Sequence, residues 1–253
     1  MKKFENILFV DLDDTLFQSL EKCPHRDELK PTAFLKDGAP ISYTTPAQRS
    51  FIGFAQQGMT MIPTTARNLD ALNRVDLPFT SWAVIDYGGV VLRPDRSVDQ
   101  DWLDAMRVKM AQALPGLEQL AAEIDAWGER TGYGGRARMI EDFDTAFYLC
   151  IKDPDKIGER LERVEREVVQ PWIEAGDRPY WIHRNGNNLA ILPNALNKSH
   201  AVAHVTAILR QANPDIITFG MGDSKSDARF MAACDYAIVP RRTQLAGVAL
   251  EPL

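Results

Sequence analysis

Ile7-Leu8-Phe9-Val10, running straight into Asp11-Leu12-Asp13-Asp14-Thr15, constrains this chain more than any other segment. Four consecutive apolar residues rich in strand formers predict a parallel strand buried on both faces, since a half-buried strand would alternate. Asp11 then stands at the strand's carboxyl end, the edge where open α/β sheets bind ligands. Two carboxylates so placed suit phosphoryl transfer to a carboxylate. One, Asp11, attacks, while the other, Asp13, protonates the leaving oxygen and later activates water. Taken alone, the motif is equally compatible with a polar strand exit. A calcium loop fails because its sixth position is Leu16 instead of glycine and its twelfth is Lys22.

The pattern beyond this strand is that of a doubly wound α/β sheet interrupted by an insertion. Thr45-Pro46 reads as a cap and first turn of a helix running to about Gln57, with Gly58 as its stop. Met59 to Pro63, Trp82 to Ile85 and Ile216 to Gly220 read as further buried strands, and strands alternating with helices argue for a parallel sheet. Between residues 90 and 189 the rhythm changes. Trp102 to about Trp127 is helical in pattern but interrupted at Pro115-Gly116. Arg136 to Ile151 is extended, and Pro154 to about Ile173 is a second amphipathic helix. Tyr180 to His183 and Leu189 to Leu192 flank Asn185-Gly186, a strong hairpin signal. The expected organisation is a core of residues 1–89 and 190–253 with a smaller α+β domain, 90–189, inserted. A second hairpin, Ala33 to Tyr43 turning at Asp37-Gly38, lies in the long stretch Phe17 to Tyr43 and would overhang the first strand as a flap.

Composition narrows the partners. A net charge of -6 over 253 residues, with scattered arginines, argues against nucleic acid and anionic membranes. Three cysteines at long spacings, with no CxxC pair, fit a reducing cytoplasm. No segment approaches a membrane span.

Three more motifs carry polar chemistry. Thr64-Thr65-Ala66-Arg67 follows the second strand and offers hydroxyls and backbone N–H groups to a phosphoryl oxygen, although a threonine there is also an ordinary helix cap. Lys198 opens a helix where the insertion returns to the sheet, placed to neutralise a nucleophile and a phosphate; a solvated lysine is the plainer alternative. Gly222-Asp223-Ser224-Lys225-Ser226-Asp227 sets two aspartates four residues apart. They lie one above the other if a helix starts here, as hard oxygen ligands for magnesium or as a helix cap.

In this order DLDDT, TTAR, the lysine and GDSKSD resemble the four signature motifs of the haloacid dehalogenase superfamily, over about residues 4–90 and 189–240. The resemblance implies Asp11 as nucleophile, Asp13 as acid/base, and Thr65, Ala66 and Lys198 on the phosphoryl group. It also implies Asp223 and Asp227, with Asp11 and Asp13, around Mg2+. The insertion is similar to the larger cap type of the sucrose-phosphate and mannosyl-phosphoglycerate phosphatases. The expected activity is hydrolysis of a small phosphorylated metabolite, most naturally a sugar phosphate. A phosphomutase of the same superfamily is the alternative enzyme, and a non-catalytic phosphate sensor the alternative of another class. Arg136, Arg138, His183, Arg184, Asn187 and Asn188 are the cap residues chemically suited to reading a sugar. Asp14 and Ala66 stand where many relatives carry glycine, and Gly88-Gly89 where many carry asparagine-glycine.

Overall fold

The computed structural model describes residues 4–250. In chain order the elements are β1 (Glu5–Val10), β2 (Lys30–Phe34), β3 (Pro40–Thr44), α1 (Pro46–Gly58), β4 (Thr60–Pro63), α2 (Leu69–Leu72), β5 (Ala83–Ile85), β6 (Val90–Leu92) and α3 (Gln100–Thr131). They continue with β7 (Ala137–Asp142), β8 (Thr145–Ile151), α4 (Gly158–Val164), α5 (Gln170–Ala175), β9 (Tyr180–Asn185), β10 (Asn188–Pro193), α6 (Lys198–Ala212), β11 (Ile216–Met221), α7 (Ala228–Met231), β12 (Tyr236–Ile238) and α8 (Gln244–Ala249). They form two compact units, residues 1–103 with 197–253, and residues 104–196. The division falls after the first turn of α3 and before α6, whereas the sequence set the insertion at 90 and 189. The offset has a reason. Val90–Leu92 pairs antiparallel with Ala83–Ile85, so this strand belongs to the first unit.

In the first unit four strands run parallel in the order β12-β11-β1-β4. β1 is central, registering Glu5 against Ile216 on one side and Ile7 against Thr60 on the other. Ile7, Leu8, Phe9 and Val10 are all fully buried, each contributing roughly 1.5–3 kcal/mol of burial free energy. Ile7 and Phe9 pack with Ile62 against Val202 and Val205 of α6 and Phe230 of α7. Thr45 caps α1 in a full capping box with Gln48, and Pro46 occupies the first turn. The β2–β3 hairpin turns at Gly38, where φ is +84°. It is tied to the body by Gln18–Tyr43 backbone bonds and by the Asp76 N–H to the Thr32 carbonyl.

The second unit is an antiparallel sheet, β7-β8-β10-β9, with helices on one face. Leu149, Ile151, Leu189 and Ile191 point to that face and pack against Leu117, Leu120 and Ile124 of α3 and against Leu161 and Trp172. α3 runs on through Pro115, where the sequence predicted an interruption. Gly116 has no Cβ, which lets the Tyr180 ring approach, and the Tyr180 hydroxyl donates to the Ala113 carbonyl at 2.7 Å. A side chain thus supports the turn that proline weakens. α4 and α5 are joined by a π-helical turn, Glu165–Val169, so the predicted amphipathic helix spans 158–175. The β9–β10 turn is Gly186-Asn187, one residue beyond the predicted Asn185-Gly186. No helix among the described residues is long and apolar enough to cross a membrane.

Candidate active site

Asp11 continues β1 by one bond, its N–H donating to the Met221 carbonyl at 2.9 Å, so its side chain emerges between β11 and β4. It is 6% exposed. Lys198, the first residue of α6, reaches back with Nζ 2.6 Å from Asp11 Oδ1 and 2.7 Å from Asp227 Oδ1. Asn197 fixes that helix start, its side chain accepting the Ser199 N–H at 2.9 Å. Thr15 sits 3.3 Å from both Asp11 Oδ2 and Asp223 Oδ1. Oxygen atoms of Asp11, Asp223 and Asp227 all lie within 4.8 Å of one another.

The two motif aspartates meet through a turn and not through a helix. α7 starts only at Ala228, and Asp227 closes the Ser224 turn by accepting the Ser224 N–H at 3.1 Å and hydroxyl at 2.6 Å. Gly222 permits this, because a Cβ there would overlap the Asp227 side chain. The Gln244 side chain and Leu245 N–H brace the loop at Lys225 and Asp223.

Burial raises Asp11 well above the ordinary carboxylate range; Lys198 opposes this, and Asp227 and Asp223 add to it. Burial, then Asp227 and Asp14, push Asp223 up to about 7. Burial works against the charge on Asp227 too, but the Lys198 ammonium and Ser224 donors hold it below the usual range. Lys198 is likewise penalised by burial, yet Asp11 and Asp227 keep it firmly protonated. Three carboxylates therefore face one ammonium. The imbalance and the all-oxygen donor set suit a hard divalent cation such as Mg2+, held by Asp11, Asp223 and Asp227.

Asp13 is the exception to the predicted set of four carboxylates around the metal. Its carboxylate lies outside the cluster and is held bidentately by Arg67, Nε to Oδ2 at 2.7 Å and Nη2 to Oδ1 at 2.8 Å. Arg67 also stacks its guanidinium over Phe17 at 5.2 Å and donates to the Ala71 carbonyl. Thr65 accepts the Arg67 N–H on its hydroxyl oxygen, and the Ala66 N–H has no partner among the described residues. Thr15, Arg67 and Ser224 are organising residues that the motifs contained but to which the sequence assigned no role.

Two of the departures from the pattern the resemblance implies, Asp14 and Gly88, have local reasons. Asp14 has φ +60°, a left-handed position that glycine favours and aspartate tolerates, and it pairs with Lys22 at 2.5 Å. Gly88, at φ +95°, lies so close to Asn197 that a Cβ would stand 2.6 Å from the Asn197 carbonyl oxygen. The Trp102 indole donates to the Gly88 carbonyl at 3.0 Å.

The six cap candidates separate. Arg136 pairs with Asp125 and Glu129 on α3, Arg184 with Glu162 and Glu165, and Asn187 clasps Asp153. These three have local structural partners. Strand alternation and register bring Arg138, His183 and Asn188 to the sheet face opposite the helices, around Cys150, whose thiol donates to Asn188 Oδ1 at 2.9 Å.

A parallel α/β core with an inserted α+β unit is the fold that the resemblance to the haloacid dehalogenase superfamily leads one to expect, and four polar segments converge on the carboxyl end of β1. No family model matches the chain, and no curated protein matches its sequence. Among solved structures, the C-terminal domain of the trehalose-6-phosphate phosphatase of C. albicans is similar, with TM-score 0.52 and 13% identity over 90% of this chain and 73% of that chain. A Thermoplasma acidophilum protein superposes at TM-score 0.50 and 14% identity, covering 93% and 92%. The sucrose-phosphatase of Synechocystis sp. PCC6803, solved with sucrose and phosphate, gives 0.49 and 13%, covering 98% and 96%.

Proposed function

We propose that this chain is a Mg2+-dependent phosphatase that hydrolyses a small phosphomonoester, a sugar phosphate by preference, through a phospho-aspartate on Asp11. One observation carries the reading: Lys198 Nζ bridges Asp11 and Asp227 inside a buried group of three carboxylates. A purely structural ion pair has no need of a third, partly protonated carboxylate at a sheet's ligand-binding edge. Fold likeness to a trehalose-6-phosphate phosphatase domain supports the same substrate class.

In the proposed reaction an Asp11 oxygen forms a bond to phosphorus as the bond from phosphorus to the ester oxygen breaks. The departing oxygen takes its proton from Asp13. Asp13, now ionised, accepts a proton from water, whose oxygen attacks the phospho-aspartate and releases phosphate and Asp11. Lys198 holds Asp11 and offsets charge on the phosphoryl oxygens, while the Thr65 hydroxyl and Ala66 N–H supply donors. Arg67 holds Asp13 as a carboxylate before substrate binds, so the acid step requires one Asp13 oxygen to leave this pair and take up a proton as the substrate enters. Mg2+, which Asp11, Asp223 and Asp227 would hold, would supply positive charge to offset that of the phosphoryl oxygens. We assign leaving-group specificity to the inserted unit.

A phosphate-release screen over phosphorylated sugars, glycerates and nucleotides, run with Mg2+ and with excess chelator, tests the reading. Turnover of sugar phosphates that needs Mg2+ and disappears in Asp11→Asn is expected. Activity surviving either chelation or that substitution overturns it.

A further inference from the structure

Gly132-Tyr133-Gly134 begins like a dinucleotide fingerprint but follows a helix instead of a strand. In the structure it lines a cleft of about 490 Å3 wholly within the inserted unit, together with Trp127, Asp155, Arg160 and Arg163. That volume lies within the range of small-molecule sites. The cleft sits at the carboxyl end of α3, whereas Arg107 near its start binds the β7–β8 turn at Phe143.

The walls are preformed. Asp153 Oδ1 accepts the N–H groups of Asp155 and Ile157 at 3.0 and 2.9 Å, and Asn187 clasps the Asp153 backbone from the β9–β10 turn. The Tyr133 N–H closes α3 on the Gly128 carbonyl, and the Tyr133 ring lies against Gly135, where a Cβ would overlap it. One wall is aromatic, with Trp127 and Tyr133 rings 5.6 Å apart and tilted by 59°.

Charge argues for a neutral ligand. Arg160 stands 2.5 Å from Asp155 and 3.7 Å from Asp153, and Arg163 lies 2.9 Å from Glu167 and over the Trp127 ring. Each guanidinium is thus already balanced by carboxylate, leaving donor edges without surplus charge for a phosphate. Beneath the cleft, Asp153 Oδ2 and the Tyr133 hydroxyl are both buried with no hydrogen-bond partner among the described residues. The Asp153 side chain is 0% exposed. The Arg160 guanidinium faces this oxygen at 3.7 Å, too far for a hydrogen bond, so it still lacks a donor at a buried position where one is favoured.

We propose that this cleft is a second, non-catalytic site that binds a neutral sugar of one or two rings. The sugar packs its C–H face on the Tyr133 ring, which Trp127, 7% exposed and covered by Arg163, backs from the core, and places hydroxyls on Asp155, Arg160 and Arg163. Such a site lets an unphosphorylated sugar act on the protein without competing for the carboxylate cluster.

The test is 19F NMR of the whole protein carrying 5-fluorotryptophan, with Trp127→Phe assigning the resonance, titrated with glucose and with sucrose. A saturable shift of the Trp127 signal is expected with either sugar, and none with inorganic phosphate. Gly134→Leu fills the cleft, since a Cβ there meets only Pro154 Cγ at 3.7 Å, and should weaken binding at least about tenfold. Asp155→Asn, which keeps the shape but removes a charged acceptor, should weaken it severalfold. Three results would each overturn the proposal: a Trp127 signal unmoved by about 100 mM of both sugars, binding unchanged in a Gly134→Leu protein of normal Tm, or a shift caused by phosphate alone.

Discussion

Asp223→Asn should stabilise the metal-free protein, by an amount that grows with pH. Asp223 is 8% exposed and faces Asp227 and Asp14, and burial together with these charges lifts it from 3.8 to about 7. Between those two values the folded state keeps a proton that the unfolded chain has released. Stability contributed at low pH is therefore lost as pH rises through this window. At about 1.4 kcal/mol per unit, the loss reaches on the order of 4 kcal/mol by pH 8, of which roughly 1–2 is already gone at pH 5. Asparagine carries no charge to bury and still offers Oδ1 to Thr15. Urea denaturation in excess chelator should accordingly find the variant's advantage over wild type about 2–3 kcal/mol larger at pH 8 than at pH 5. Millimolar Mg2+ at pH 8 should reverse the order, because wild type gains binding energy that the variant has lost with a ligand. A variant less stable than wild type at pH 8 without metal, or a difference independent of pH, would refute the electrostatic reasoning.

Lys198→Met leaves two buried carboxylates without their shared cation, and metal-free stability at pH 8 should fall by about 3–5 kcal/mol in the same denaturation assay, opposite in sign to Asp223→Asn. Asp13→Asn should slow phosphate release by more than about tenfold while its melting temperature stays near wild type, since the Asp13 carboxylate is partly exposed. Gly88→Ala combines a left-handed backbone with a Cβ against Asn197; calorimetry should show a loss of roughly 2 kcal/mol or more, accompanied by slower turnover as the start of α6 shifts. Gly53→Ala, on α1 with open space around it, should instead raise stability by up to about 1 kcal/mol.

The parts of the fold legible in the sequence are those governed by local pattern. The continuous apolar run of β1 has the pattern of a doubly buried strand, and Asp37-Gly38 placed the β2–β3 hairpin because the left-handed backbone at residue 38 nearly demands glycine. The order of the motifs likewise brought Asp11, Lys198, Asp223 and Asp227 together, because each follows a strand or opens a helix at one sheet edge. What stayed hidden depends on partners distant in sequence. Nothing near Val90 announces its pairing with Ile85, and Pro115 reads as a break until Tyr180 is found donating a hydrogen bond to the preceding turn. Asp13 was expected among the metal ligands because the superfamily resemblance implies it; its claim by Arg67, 54 residues on, is visible only in three dimensions.

The central position of β1 has a consequence for how the chain is made. The strand is made long before one of its two neighbours, β11, which comes from residues 216–221, and Thr15 meets Asp223, 208 positions further along the chain. Until β11 has been synthesised, one edge of β1, with its four buried apolar residues Ile7 to Val10, has no native neighbour to pair with. Nascent chains ending before Ile216 should therefore be sticky and inactive, and their solubility should depend on chaperones to a degree that the finished protein's does not.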